Sequence, residues 1–302
     1  MRSAALTLLL FLPSLATAQI APECADFAND QPADYDEQVQ QDFLANYVAL
    51  SMTYSPAHAP IPHEPGHGAV GVGLQVIPPL GCGKRFVLDW TKTEDTNKTP
   101  VAPVPRVTFA FPTLGPVHLY GGVGYLPPVT ILGTRNVIFQ AEFGGAVALG
   151  EEEQIQVGAR IHSSSIRTIA DVATAFVETD PAVLDLYLGS SVGAGLMGGY
   201  ALKELGITPY ASVGFTDIST FFFIGDDGLI ANNLHPYAGL DFSLGVDGLT
   251  MERLRWAFEL YGAPGGVSVP KAGGDNTLDI SNVDGANYGS LYTARIRLGF
   301  EL

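Results

Sequence analysis

The chain has 302 residues, 35 of them glycine, with 15% charged residues and a formal net charge of −16. Charge is sparser than the roughly one quarter of a soluble globular domain. The acidic balance excludes nucleic acid as a natural partner.

Arg2, the apolar run Ala4 to Leu12 and the small-residue site Ala16-Thr17-Ala18 predict a secretory signal peptide over residues 1–18, cut before Gln19. Cys24 lacks the small-residue setting of a lipid-anchored cysteine. In an exported chain Cys24 and Cys82 favour one disulfide, with two unpaired thiols as the alternative. Residues 19–67 hold no Lys or Arg and form a distinct acidic segment. Within it Asp34-Tyr-Asp-Glu37 predicts a capping box. Val39, Phe43, Tyr47, Leu50 and Tyr54 follow at helical spacing. The helix so predicted has about 19 residues and is about 28 Å long. Ser55-Pro56 and the prolines from Pro60 to Pro65 stop it.

From Ala69 the period becomes two, and residues 68–302 are expected to form one β domain. Strands are predicted near 69–76, 107–111, 117–125, 137–149, 154–163, 184–200, 207–217, 237–247, 252–262 and 288–302. Tight turns at 112–116, 150–153, 201–206 and 247–251 alternate with longer loops near 78–105, 126–135, 164–183, 218–236 and 263–287. The uncharged run Leu186 to Leu202 could be taken for a membrane helix. Gly189, Gly193, Gly195, Gly198 and Gly199 would each cost such a helix about 1 kcal/mol, so a strand is expected there.

The chain ends in Tyr292-Thr-Ala-Arg-Ile-Arg-Leu-Gly-Phe-Glu-Leu302, alternately apolar and polar to the last residue. An edge strand of this length and greasiness would invite aggregation in water. It is at home with one face in lipid and the other in a lumen. This stretch resembles the C-terminal strand of bacterial outer-membrane β-barrel proteins, which most often end in an aromatic residue where this chain has Leu302. The resemblance implies an all-β fold, a transmembrane up-and-down antiparallel β-barrel. Ten strands are expected, or twelve if Arg85 to Trp90 adds one and a second hairpin strand lies in a long loop. It also implies export through the periplasm to the cell outer membrane, with outer-membrane lipid and the barrel-assembly machinery as partners.

Several motifs invite chemistry. Gly193-Ala-Gly-Leu-Met-Gly198, with Asp217 beyond it, matches a dinucleotide fingerprint, but too few residues follow for a crossover helix, so no cofactor is expected. His162 and Ser164 resemble the His-x-Ser pair that outer-membrane lipid hydrolases carry on a barrel strand, a likeness that holds only if the pair can reach lipid. Their parity places them in the lumen or its mouth, and a plain polar strand end is the expectation. His58, His63 and His67 near Glu64 could hold a metal in principle, yet a solvated linker fits the prolines better. Asp275, Asp279 and Asp284 make the last long loop acidic without calcium-loop spacing. No metal site and no catalytic residue are expected.

Parity also sorts charge. With apolar residues toward lipid, Arg253, Arg255, Arg295, Arg297, Arg160 and Arg106 face the lumen, as do Glu142, Asp185, Asp241, Glu259 and Glu301. Four of these arginines are expected to gather at the periplasmic end. Their counter-charges are either the lumen acids or Asp34, Asp36, Glu37 and Asp42 of an inserted N-terminal segment. A helix inside the barrel would call for twelve strands and flanking inward glycines. The function expected is a small channel or transport barrel for an unknown small solute, gated by the N-terminal segment. The alternative is a structural or surface-interaction barrel with a filled lumen, and a lipid-modifying hydrolase is the outsider.

Overall fold

The computed structural model describes residues 20–87, 89–94, 96–98, 100–131, 134–150, 152–172, 183–224, 228–264 and 290–302. Residues 1–18, where a signal peptide is expected, and the acidic loop with Asp275, Asp279 and Asp284 lie outside the described residues.

Ten antiparallel strands close into a barrel. They are β1 (Gly68–Val76), β4 (Val101–Ala110), β5 (Val117–Ile131), β6 (Thr134–Leu149), β7 (Ile155–Val172), β8 (Val183–Tyr200), β9 (Ile207–Ile224), β10 (Gly228–Thr250), β11 (Leu254–Ala263) and β12 (Leu291–Glu301). Each pairs with its neighbour in sequence, and β1 closes the ring on β12 in the register Ala69↔Glu301 to Gln75↔Arg295. The remaining strands, β2 (Phe86–Val87) and β3 (Lys92–Thr93), pair only with each other in the β1–β4 connection. The Arg85 to Trp90 stretch therefore adds no wall strand.

The short-turn end lies at residues 111–116, 152–154, 201–206 and 251–253, beside Gly68 and Leu302. At the other end the structure corrects the expected loop lengths. Residues 126–131 and 134–135 continue β5 and β6, and much of 218–236 continues β9 and β10. β7 likewise continues through 164–172, and there the reason is visible, because its outward face turns polar and exposed at Ser163, Ser165 and Arg167, as does that of β8 at Ser190. These strands go on pairing beyond the apolar band, where hydrophobic periodicity no longer marks them.

Below that row the outward face is apolar all round. Leu196, Leu240 and Phe300 keep 62%, 60% and 63% of their surface exposed, which only a lipid-facing position makes reasonable. Among the described residues no helix is long and apolar enough to cross a membrane. Leu298 lies on this band opposite Trp256. Replacing it with Arg is expected to cost about 2–4 kcal/mol at mid-bilayer. The heat-modifiable folded fraction in lipid vesicles should fall accordingly, and an unchanged fraction would contradict the lipid-facing assignment.

Among the described residues one α-helix, α1 (Glu37–Ser51), precedes the wall strands. Its N-cap is Asp36, whose Oδ1 accepts from the Val39 amide at 3.2 Å. The capping box expected from Asp34 is replaced by a plain N-cap two residues later, because Val39 has no polar side chain to reach back to the cap amide. The helix ends at Ser51, three residues before Tyr54, so Tyr54 belongs to the extended chain that follows and not to the helix face.

Candidate functional site: an occupied lumen

The N-terminal segment fills the barrel. Phe43, Leu44, Tyr47 and Leu50 of α1 are buried against inward-facing wall residues that include Ile138, Ile166, Ile218, Tyr187 and Leu291. Each such apolar side chain contributes about 1.5–3 kcal/mol when removed from water. The Tyr187 hydroxyl donates to the Ala45 carbonyl at 2.7 Å, and the Tyr47 hydroxyl donates to the Pro78 carbonyl. At the helix C-terminus Arg295 donates to the Leu50 carbonyl at 3.3 Å and stacks on Tyr261, 3.8 Å from its ring centre. A cation there also suits the helix dipole.

Residues 52–67 then run down the lumen to the short-turn end. Glu142 accepts from the Tyr54 hydroxyl at 2.7 Å, sits 2.9 Å from His58 Nε2, and lies 3.6 Å from Arg160. Glu259 accepts from the Ser55 hydroxyl, from the Ala57 amide at 3.2 Å and from the Tyr210 hydroxyl at 2.9 Å. Asp247 accepts from the Ala59 amide at 3.1 Å and from Arg255 at 3.0 Å. Gln156 accepts from the Ile61 amide at 3.2 Å. His63 lies between Thr108 at 2.7 Å and Glu301 at 3.1 Å, and Arg255 donates to the same Glu301 at 2.8 Å. Arg106 donates to the Ser55 carbonyl at 2.8 Å, and Gln140 to the Met52 carbonyl at 2.8 Å.

Two inward glycines make room for this chain. A Cβ at Gly122 would stand 2.7 Å from the Tyr54 hydroxyl, and one at Gly199 would stand 2.9 Å from Pro60. Ala57 adopts φ of 43°. That left-handed conformation costs an alanine about 1–2 kcal/mol, here offset by the bond to Glu259.

At the long-loop end the segment is fastened covalently. Cys24 and Cys82 are joined in a disulfide. Around it Phe86 stacks on Trp90 at 4.2 Å, Tyr35 meets Trp90 edge-on at 5.2 Å, and Trp90 Nε1 donates to the Phe27 carbonyl at 2.8 Å. Arg85 donates to Glu23 at 2.9 Å, and this bond holds the Glu23 carboxyl below the usual carboxylate range. The pair's contribution is therefore present at neutral pH and lost on acidification. Exchanging both cysteines for serine should lower unfolding stability by about 2–4 kcal/mol through the freed chain entropy. Denaturant midpoints of the two proteins measure this, and equal midpoints would contradict it.

Of the arginines expected in the lumen, Arg160, Arg255, Arg295 and Arg297 are inward, as is Glu259. Arg253 is not. It lies exposed in the 251–253 turn, where strand parity no longer applies. The docking polarity expected for the segment is reversed. Asp34 and Asp36 are exposed and Glu37 is half-buried near the cap, where Glu37 accepts from the Tyr35 hydroxyl and, at 2.9 Å, from the Asp89 amide. Wall acids instead hold the segment's hydroxyls, amides and histidines. His58 and His63, expected in a solvated linker, are 0% and 2% exposed. The helix is accommodated with ten strands, not twelve, because it occupies the long-loop half and only extended chain passes the short-turn half.

The remaining motifs resolve locally. Gly193 to Gly198 lies inside β8, which leads through a three-residue 3-10 turn, Lys203–Leu205, directly into β9 and not into a crossover helix. His162 and Ser164 are buried on the inward face of β7, and the Ser164 hydroxyl pairs with Ser191 at 2.6 Å. Among the described residues no group of three or more His, Cys, Asp or Glu is placed to hold a metal.

A closed up-and-down barrel with an apolar outer belt and a polar inner face defines the protein as an outer-membrane-type β-barrel. No protein-family model matches the sequence, and no curated protein matches it. Its fold is similar to the translocator domain of the autotransporter NalP from Neisseria meningitidis, at 10% identity and a TM-score of 0.43, over 79% of this chain and 89% of that one. It is also similar to the Pseudomonas putida toluene transporter TodX, at 11% identity and a TM-score of 0.35, over 80% and 70% of the two chains. An outer membrane channel from Pseudomonas putida F1 aligns at 11% identity and a TM-score of 0.33, over 82% of this chain and 98% of that one.

Proposed function

We propose that the protein is an outer-membrane barrel whose lumen is filled by its own N-terminal segment, and that it acts through the surface its cap and long loops present outside. One observation carries this reading: α1 is packed as a hydrophobic core, with Leu50 fully buried among wall residues. A gate that swings in and out would have to expose several large apolar side chains at each opening, at about 1.5–3 kcal/mol apiece. The surrounding partners are outer-membrane lipid and, during biogenesis, the barrel-assembly machinery. In this orientation the short turns face the periplasm. The test is conductance of the intact refolded protein in a planar bilayer, which should be silent.

The second reading is a gated transport barrel for a small solute. It is favoured by guanidinium nitrogens of Arg160, Arg295 and Arg297 that are buried in the lumen without a hydrogen bond to protein, although Arg160 lies 3.6 Å from the Glu142 carboxylate. Buried polar atoms of this kind are commonly met by water, which would give a hydrated path beside the segment. Resolved current steps from the intact protein would establish this reading over the first. Neither reading uses a catalytic residue, and no lipid hydrolysis is expected in detergent micelles.

A further inference from the structure

The covalent path of the chain constrains how this barrel is made. From Cys24 at the long-loop end the chain enters the lumen as α1, descends through residues 52–67, turns at Gly66-His67-Gly68, and climbs the wall as β1 to Cys82. The disulfide closes residues 24–82 into a ring, one limb inside the lumen and the other in the wall. The turn is fixed by main-chain bonds to β4, from Gly66 N to the Ala110 carbonyl at 3.1 Å and from Ala110 N to the His67 carbonyl at 2.8 Å. At its upper end the ring carries a cap with its own aromatic core, Phe86 and Trp90 packed over Cys24. In the lower half a single extended strand of chain already occupies the lumen, gripped by β4, β6, β7, β10, β11 and β12. A bonded cap cannot pass through that half. An unbonded N-terminus could do so only by threading its whole length through a finished barrel.

We propose that the ring forms first and is enclosed sideways: Cys24 and Cys82 join, the α1–β1 hairpin assembles as a unit, and the sheet wraps it before the β1–β12 seam closes. The seam is the sole place where the sheet joins residues from opposite ends of the barrel sequence, and β1 enters it already carrying the lumen segment. The oxidation joins two thiols with loss of two protons and two electrons to a disulfide oxidant, such as oxidised glutathione in the test below. The proposal rests on the filled-lumen reading and adds the order of events to it.

The experiment starts from the full mature chain unfolded in urea. One sample is oxidised there with glutathione disulfide until mass mapping shows the Cys24–Cys82 bond. The other is reduced and alkylated. Both are diluted into lipid vesicles, followed by the heat-modifiable band, and probed with chymotrypsin, whose sites Phe43, Tyr47 and Tyr54 are buried once the segment is inside. The expected result is that the pre-oxidised chain yields the heat-modifiable barrel at least as fast as the alkylated chain, with all three sites protected. The order is overturned if the pre-oxidised chain reaches the protected state more slowly than the alkylated chain, or not at all. Sites open to cleavage in both folded samples would instead overturn the filled-lumen reading itself.

Discussion

Deleting residues 20–60, with Cys82→Ser to remove the orphaned thiol, is expected to convert a silent barrel into a conducting one. The deletion removes α1 and the part of the segment that Glu142, Glu259 and Asp247 hold. What remains is a ten-stranded wall with Arg106, Arg160, Arg255, Arg295 and Arg297 inside it, interleaved with Glu142, Asp241, Asp247, Glu259 and Glu301. Such a lining is polar enough to hold water through the lower half. The upper half loses its packing partners, and Ile138, Ile218 and Leu291 become solvent-facing. The variant should therefore also unfold at lower temperature. Single-channel recording of the refolded variant beside the intact chain measures the effect. Equal silence in both would mean that the wall residues collapse into the space.

The second large effect is expected at Glu259. It is 0% exposed and satisfies three donors at once, the Ser55 hydroxyl, the Ala57 amide and the Tyr210 hydroxyl. Replacement by Ala leaves those donors buried without an acceptor and takes away a neighbouring counter-charge of Arg295, its register partner on β12. Breaking a buried charge network from one side costs about 3–5 kcal/mol. Glu259→Gln keeps one acceptor oxygen and should lose less. The readout is twofold: the unfolding midpoint, and chymotrypsin cleavage at Tyr54 in the folded barrel. A Glu259→Ala protein as stable and as protected as the parent would show that the segment is held by apolar packing alone.

Much of this arrangement is legible in the residues themselves. All ten wall strands are marked by alternation, because one face meets lipid and the other does not. The continuation of β7 past residue 163 is silent for the same reason: at Ser163, Ser164 and Ser165 both faces are polar, and period two has nothing to alternate. Parity places Arg255, Arg295 and Arg297 correctly inside the strands and fails at Arg253, one residue outside β11. The segment's contacts are harder to foresee. Its prolines suggest a solvated linker, and only the closed wall around it supplies the acids that bury His58 and His63. A usable signal is present in Ser55, His58 and His63, polar groups spread along a base-free stretch, facing a barrel whose inward positions include Glu142, Glu259 and Glu301. The helix end was displaced because Tyr54 continues the helical spacing by coincidence while its hydroxyl is claimed by Glu142.

The filled lumen is tested most directly by amide hydrogen exchange at Ala57, Ala59 and Ile61 in the intact barrel refolded in lipid. Their amides donate to Glu259, Asp247 and Gln156, away from bulk water. The account predicts exchange as slow as that of the neighbouring wall strands β6 and β7. Exchange at the rate of an unfolded peptide would place the segment outside the barrel and contradict it.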